Sequence, residues 1–216
     1  MKSQEREPIM ARIAEQERDT RETHIRVRLN LDGTGQYEDP VSKKRKISTG
    51  HGVLNHLLES LSKHSMIDLE VQVIRGDTDV GWHHITEDIG ILMGRAFKEA
   101  VGSAKGIRRM ASFFAPLDEA LAFACVDFGG RGYFVFSQGE IGDSDLNGLP
   151  GDLIRHFLES LAREGGFNLH VMIISGINNH HKAEAVLKAT ARAVRAALEL
   201  DERALGQIPS TKGVIG

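Results

Sequence analysis

Two segments of this chain carry the same set of metal-binding side chains. His83-His84 is followed by Glu87, and His180-His181 by Glu184. Each set has a further histidine upstream, His56 or His156, inside near-repeats: HLLESLSKHSMIDLEVQVIRG at 56–76 and HFLESLAREGGFNLHVMIISG at 156–176. Imidazole and carboxylate together suit borderline divalent metals. Six of the chain's ten histidines fall in these sets, a concentration that packing alone does not require.

Helix geometry sharpens the reading. Residues three or four apart share a helix face, so Glu87 pairs with one of its two histidines and Glu184 likewise. Adjacent histidines diverge by about 100° around the axis. They cannot both serve one ion, so the second member of each pair should reach a second metal. Eight ligands divide as three imidazoles and one carboxylate for each of two ions: His56, His83, His84, Glu87, His156, His180, His181 and Glu184. The HHxxE order lacks the glutamate placed between two histidines that a zinc peptidase uses.

The surrounding elements must position these groups. Apolar residues alternate at Ile25, Val27, Leu29 and Leu31, which predicts a strand, and Asp68–Ile74 predicts another. Val53, Leu54, Leu57, Leu58 and Leu61 predict a helix. Residues 83–101 predict a second, with Ile89, Leu92, Met93, Ala96 and Phe97 inward and Gly102 ending it. The second half repeats the order: strands over 118–127 and 132–138, an acidic glycine-rich loop at 139–148, a helix at 151–163, a strand at 168–174 and a helix at 180–200. The expected organisation is an N-terminal extension at 1–20, loosely ordered or a short helix, half-repeats at 21–106 and 107–203, and a tail at 204–216. Each half supplies two helices, and the four pack as one layer between two sheets, an α+β fold.

Composition sets outer limits. A 41% hydrophobic and 26% charged chain of 216 residues has material for a globular core. A net charge of −3 gives no electrostatic case for a nucleic-acid or membrane partner. The first 20 residues do not read as a signal peptide, so a cytoplasmic location is expected. Cys125, the lone cysteine, is expected as a buried strand residue, His170 as a structural histidine on a strand, and His24 and His51 at the surface.

Taken together, Glu22-Thr23, LNLDGTG (29–35), HHITED (83–88), APLDEAL (115–121), GGRGY (129–133), HFLESL (156–161), HHKAEAVLKATARA (180–193) and PSTKG (209–213) resemble the imidazoleglycerol-phosphate dehydratase family. The resemblance runs from Glu22 to Gly213. It implies two α/β halves of the ribosomal-protein-S5-domain-2-like type around four helices and two four-stranded sheets. It implies dehydration of D-erythro-imidazoleglycerol phosphate to imidazoleacetol phosphate in histidine biosynthesis. It implies two Mn²⁺ per subunit on the eight ligands above, shared between subunits of a 24-mer. Glu22 would be the acid/base, with Glu184 and His84 in the same catalytic set. His64 would touch substrate, and Arg109, Arg131, Lys188, Ser210 and Lys212 would bind its phosphate. Without the resemblance, each of Arg109, Arg131 and Lys188 reads as a solvated surface charge.

The chain departs from the family pattern at a few places. Asn55 stands where an aspartate is usual, Ser60 where a glutamine is, Gly81-Trp82 where two acids are, and Asp79 where a histidine is. The lost acids would have oriented ligand histidines, Ser60 removes reach, and Trp82 is expected to add bulk at the cavity mouth. A diverged enzyme acting on another azole phosphate, and a non-catalytic metal-assembled shell protein, are the alternatives these departures leave open. A fused phosphatase domain, found in some lineages of the family, is not expected here.

Overall fold

The computed structural model describes residues 11–142 and 145–216. The first ten residues of the expected N-terminal extension, and two residues of the 139–148 loop, lie outside the described set. The first half runs β1 (Ile13–Asp19), β2 (His24–Asn30), β3 (Ile47–Ser48), α1 (Gly52–Ser65), β4 (Asp68–Arg75) and α2 (His83–Val101). The second runs β5 (Met110–Leu117), β6 (Ala120–Asp127), β7 (Tyr133–Gln138), α3 (Asp152–Gly165), β8 (Asn168–Ser175) and α4 (Asn179–Leu198). The sheets have matching orders, β1-β2-β4-β3 and β5-β6-β8-β7. In each, only the last pair is parallel.

Alternation sorts each strand's side chains between two faces. Ile25, Val27, Leu29, Leu69 and Val71 face inward in the first sheet, and Ala122, Ala124, Val126, Leu169 and Val171 in the second, all essentially inaccessible. Apart from Val53, which is half-buried, the predicted inner faces of α1 and α2 are buried in the core. α2 lies on β1 and β2 and crosses α3, while α4 lies on β5 and β6 and crosses α1. The expected four-helix layer between two sheets is therefore present.

The α2–α3 crossing is close enough to exclude side chains. A Cβ on Gly90 would lie 2.7 Å from the Phe157 carbonyl oxygen, and one on Gly94 would lie 2.7 Å from that of Leu161. At the corresponding places on α4 the chain has Leu187 and Ala191, both buried. The duplicated halves thus meet through two helix crossings of unlike chemistry.

Several expectations change. Residues 13–19 form an edge strand rather than a loose or helical extension. Its core-facing Ala14 is small and its other residues are largely polar, so no apolar alternation announced it. Residues 110–117 form β5, which was not expected. Met110 and Phe114 are apolar yet exposed on its outer face, which masks the period of two. The strand expected at 118–127 begins only at Ala120, because Asp118 adopts φ 48° and turns the chain into a hairpin with Glu119. Cys125 faces outward on β6 and is half-buried, with burial raising its thiol pKa. His170 is exposed on β8 rather than built into the interior. His51 is buried, not at the surface, and His24 is half-buried with Nε2 2.6 Å from Glu17 Oε1.

Candidate metal centre

The helix crossings bring the repeated histidines together. His180 opens α4, and Glu184 follows one turn later on the same face. Because α1 crosses α4, His56 reaches this pair: its Nε2 lies 3.2 Å from Glu184 Oε2, and His180 Nε2 lies 3.5 Å from the same oxygen. The two imidazole rings stack with centroids 5.9 Å apart. These three residues offer ligand atoms that all lie within 4.8 Å of one another. Burial pushes the Glu184 carboxyl up, but hydrogen bonds from Lys188 and His56 outweigh it and hold the group below the usual carboxylate range. Lys188 Nζ lies 2.8 Å from Glu184 Oε1.

The other crossing repeats the arrangement more openly. His83 Nε2 is 4.0 Å from Glu87 Oε2, and the His83 and His156 rings lie 4.9 Å apart. The Glu87 side chain is 43% exposed against 14% for Glu184, so the two trios are unequal in shelter.

The second histidine of each pair turns away, as the helical repeat requires. His84 Nδ1 lies 2.7 Å from Asp77 Oδ2 and 3.9 Å from Glu22 Oε2. Glu22, Asp77 and His84 form a second group able to hold a cation. His181 Nδ1 lies 2.7 Å from Glu119 Oε2, with Asp118 Oδ2 3.9 Å from its Nε2. The carboxylate beside each ring raises the pKa of His84 and of His181. Glu119 is pulled down to about 2, first by His181 and then by the Asn178 N–H. The three-histidine, one-glutamate set expected for each ion is therefore not assembled within one chain. Each trio has two imidazoles, and the third pair of imidazoles faces elsewhere.

Asp77 and Glu119 escaped the sequence reading. Both sit in turns, where acidic residues are common and have no periodicity. The signal for Glu119 was its place in APLDEAL beside a chain reversal.

Glu22 sits in the β1–β2 turn, which Asp88 of the HHITED segment holds. Thr23 Oγ1 donates to Asp88, and Arg18 Nε lies 3.0 Å from its other oxygen. Asn55 Oδ1 accepts from both the backbone N–H and the hydroxyl of Thr49, each at 2.8 Å. An aspartate would accept the same two bonds, which explains why asparagine serves here. Trp82 precedes α2, half-buried, with its ring edge-on to His51 at 4.7 Å. The Ser60 hydroxyl is buried without a hydrogen-bond partner among the described residues.

The substrate candidates divide into two places. His64 lies two turns beyond His56 on α1, where burial, with the charges of Lys188 and Arg192 adding to it, holds its imidazole below the usual value. His64 and Lys188 thus belong with the His56 trio. Arg109, Arg131, Ser210 and Lys212 do not. Arg109 pairs with Asp127 at 2.7 Å, donates to the Pro209 carbonyl, and has its backbone N–H on the Ala197 carbonyl. That is the C-terminal end of α4, about 25 Å from His180 by helical rise. Arg131 is exposed on the β6–β7 turn, and Lys212 is exposed on the tail that follows Pro209.

Paired halves of this topology, with histidines and a glutamate gathered where the helices cross, define a duplicated α/β protein with candidate metal ligands at its crossings. The family model for imidazoleglycerol-phosphate dehydratase matches residues 49–194. The imidazoleglycerol-phosphate dehydratase of Burkholderia lata is 46% identical over 206 residues, covering 94% of this chain and 98% of that protein. That of Burkholderia orbicola is equally similar. The crystal structure of the Staphylococcus aureus dehydratase superposes with a TM-score of 0.74 at 29% identity, over 88% of this chain and 99% of that one. The Pyrococcus furiosus enzyme in complex with (S)-C348 gives 0.74 at 29%, over 93% and 100%. The chain belongs to the imidazoleglycerol-phosphate dehydratase family.

Proposed function

We propose that this protein removes water from D-erythro-imidazoleglycerol phosphate to give imidazoleacetol phosphate, a step of histidine biosynthesis. The observation that carries the reading is the His56–His180–Glu184 trio, with its open counterpart His156–His83–Glu87, in a chain of this family. The donor set fits a borderline divalent ion: two imidazole nitrogens converge on one carboxylate oxygen at 3.2 and 3.5 Å. Mn²⁺, two per subunit, is our assignment. When bound, the ions supply Lewis-acid and template chemistry at the imidazole ring.

What remains for the chain is proton transfer and positioning. The C–H bond to be broken has no neighbouring carbonyl to acidify it. Glu22, exposed beside His84, is the carboxylate that takes this proton while the hydroxyl next to the ring departs, and it shuttles the proton that turns the resulting enol into the ketone. His84, 3.9 Å from it, and Glu184, from the His56 trio, complete the catalytic set. His64 and Lys188 meet the substrate along the α1–α4 groove. Arg109, Arg131, Ser210 and Lys212 hold the phosphate, a dianion suited to guanidinium forks and an ammonium charge, and fix the side chain in its reacting pose.

This assignment needs more than one subunit. Each trio lacks an imidazole, and His84 and His181 face away from both trios. Of the phosphate candidates, Lys188 lies beside Glu184, whereas Arg109 and the tail it holds lie at the opposite end of α4 from His180. We assign a site shared between subunits, in a 24-subunit cytoplasmic assembly. Among the described residues no helix is long and apolar enough to cross a membrane.

Turnover by chelator-stripped protein, with and without Mn²⁺, tests the reading. Metal-dependent imidazoleacetol phosphate is the expected result. Uptake of two ions per subunit with no product would move the substrate to another azole phosphate. Metal-driven assembly with no azole binding would leave a scaffold.

A further inference from the structure

The two halves hold their outward histidines from different elements. In the first half the acceptor is Asp77, in the loop between β4 and α2, 2.7 Å from His84 Nδ1. The corresponding loop between β8 and α4 reads Gly176-Ile177-Asn178 and has no acid. Glu119 enters instead from the β5–β6 turn, with Oε2 2.7 Å from His181 Nδ1. Its other oxygen accepts the backbone N–H groups of Asn178 at 2.8 Å and Ile177 at 3.2 Å. Asn178 in turn caps α4, its Oδ1 accepting from the N–H groups of His180 at 2.8 Å and His181 at 3.2 Å. One carboxylate therefore fixes the side chain of His181 directly and the start of its helix through the loop.

We propose that Glu119 is a positioning residue, setting His181 to present Nε2 to a metal ion and taking in the second half the part that Asp77 takes in the first. This rests on the metal reading above. A neutral imidazole carries one ring proton, and an ionised carboxylate only accepts. Glu119 on Nδ1 therefore keeps the proton there and leaves the Nε2 lone pair free, the tautomer a metal requires. Nε2 lies 3.9 Å from Asp118, beyond hydrogen-bond range, so no hydrogen bond among the described residues ties it up. Glutamine at 119 keeps an oxygen for the Ile177 and Asn178 N–H groups. Its amide, however, donates toward Nδ1, which moves the ring proton to Nε2 and closes the ligand position.

The test is Mn²⁺ titration of the full chain by electron paramagnetic resonance, with thermal melting in chelator alongside. Glu119→Gln should melt in chelator like wild type yet bind one of its two ions per subunit about 10–100-fold more weakly. Wild-type affinity at both ions in that variant overturns the proposal, leaving Glu119 as a loop clamp. If Glu119→Gln also melts early, Glu119→Ala is titrated with and without acetate. Recovery of tight binding by acetate supports positioning, and no recovery overturns it. Wild-type protein that takes up no Mn²⁺ fails the metal reading itself, which separates the two failures.

Discussion

A carboxylate meant to move protons must stand near the reacting atoms without being spent as a ligand. On the proposed reading Glu22 fills this part: its side chain is 60% exposed, and its contact with His84 is 3.9 Å, loose enough to leave an oxygen for substrate. Glu184 is placed oppositely, drawn between His56, His180 and Lys188. Glu22→Gln should therefore keep metal uptake and KM close to wild type while kcat falls about 10²–10⁴-fold, the range of general acid–base contributions. Steady-state kinetics with parallel metal analysis checks this, and full turnover would remove Glu22 from the chemistry. The clustering of the candidate ligands was legible because a duplicated His, His-His, Glu pattern has no packing explanation, and the structure gathers His56, His180 and Glu184 and sets His83 beside Glu87 and His156. His51 was not legible: nothing in TGHGV says that a tryptophan thirty-one residues on will cover its ring. Asp77 and Glu119 were hidden for another reason, since their partners are set by tertiary approach rather than spacing.

At the level of elements, the trios exist because helices from different halves cross at fixed places. Helices and central strands were readable from apolar period, as Leu54–Leu57–Leu58–Leu61 and Ile25–Val27–Leu29 show. The edge strands β1 and β5 were not, because one buries little apolar surface and the other exposes Met110 and Phe114. Helix spacing was also beyond the sequence reading, although it decides how near His83 comes to His156. Adding a methyl at Gly94 meets the Leu161 carbonyl oxygen at 2.7 Å and the Gly165 nitrogen at 2.8 Å, backbone atoms that cannot turn aside. Alanine's better helix propensity is worth about 1 kcal/mol, and overpacking costs about 1–3 kcal/mol. Gly94→Ala should therefore destabilise the chain by up to about 2 kcal/mol net, seen as earlier thermal unfolding in chelator. It should also weaken Mn²⁺ at the His83–His156 trio. Unfolding at the wild-type temperature would mean that the α2–α3 crossing has slack.

For the whole molecule, the distances within one chain favour the proposed site shared between chains. The tail is anchored where Gln207 accepts the Gly106 N–H at 2.8 Å, just past the end of α2. α2 starts at His83, so this anchor lies about 25–30 Å from Glu22's neighbourhood by helical rise. Five extended residues from Gln207 to Lys212 span at most about 17 Å, which does not close the gap. On the shared-site reading, a substrate held by the Lys212 ammonium of one chain meets Glu22 of a neighbouring chain. Mixing makes this measurable. Glu22→Gln and Lys212→Ala should each be poorly active as pure assemblies. Dissociated together and reassembled in equal amounts, they should form hybrid sites with an intact Glu22 from one subunit and an intact Lys212 from another. Random mixing gives such sites in about one case in four, so about a quarter of wild-type activity should return. Activity that stays at the mean of the two pure variants would put both residues in one chain's site, and the shared-site assignment would fall with it.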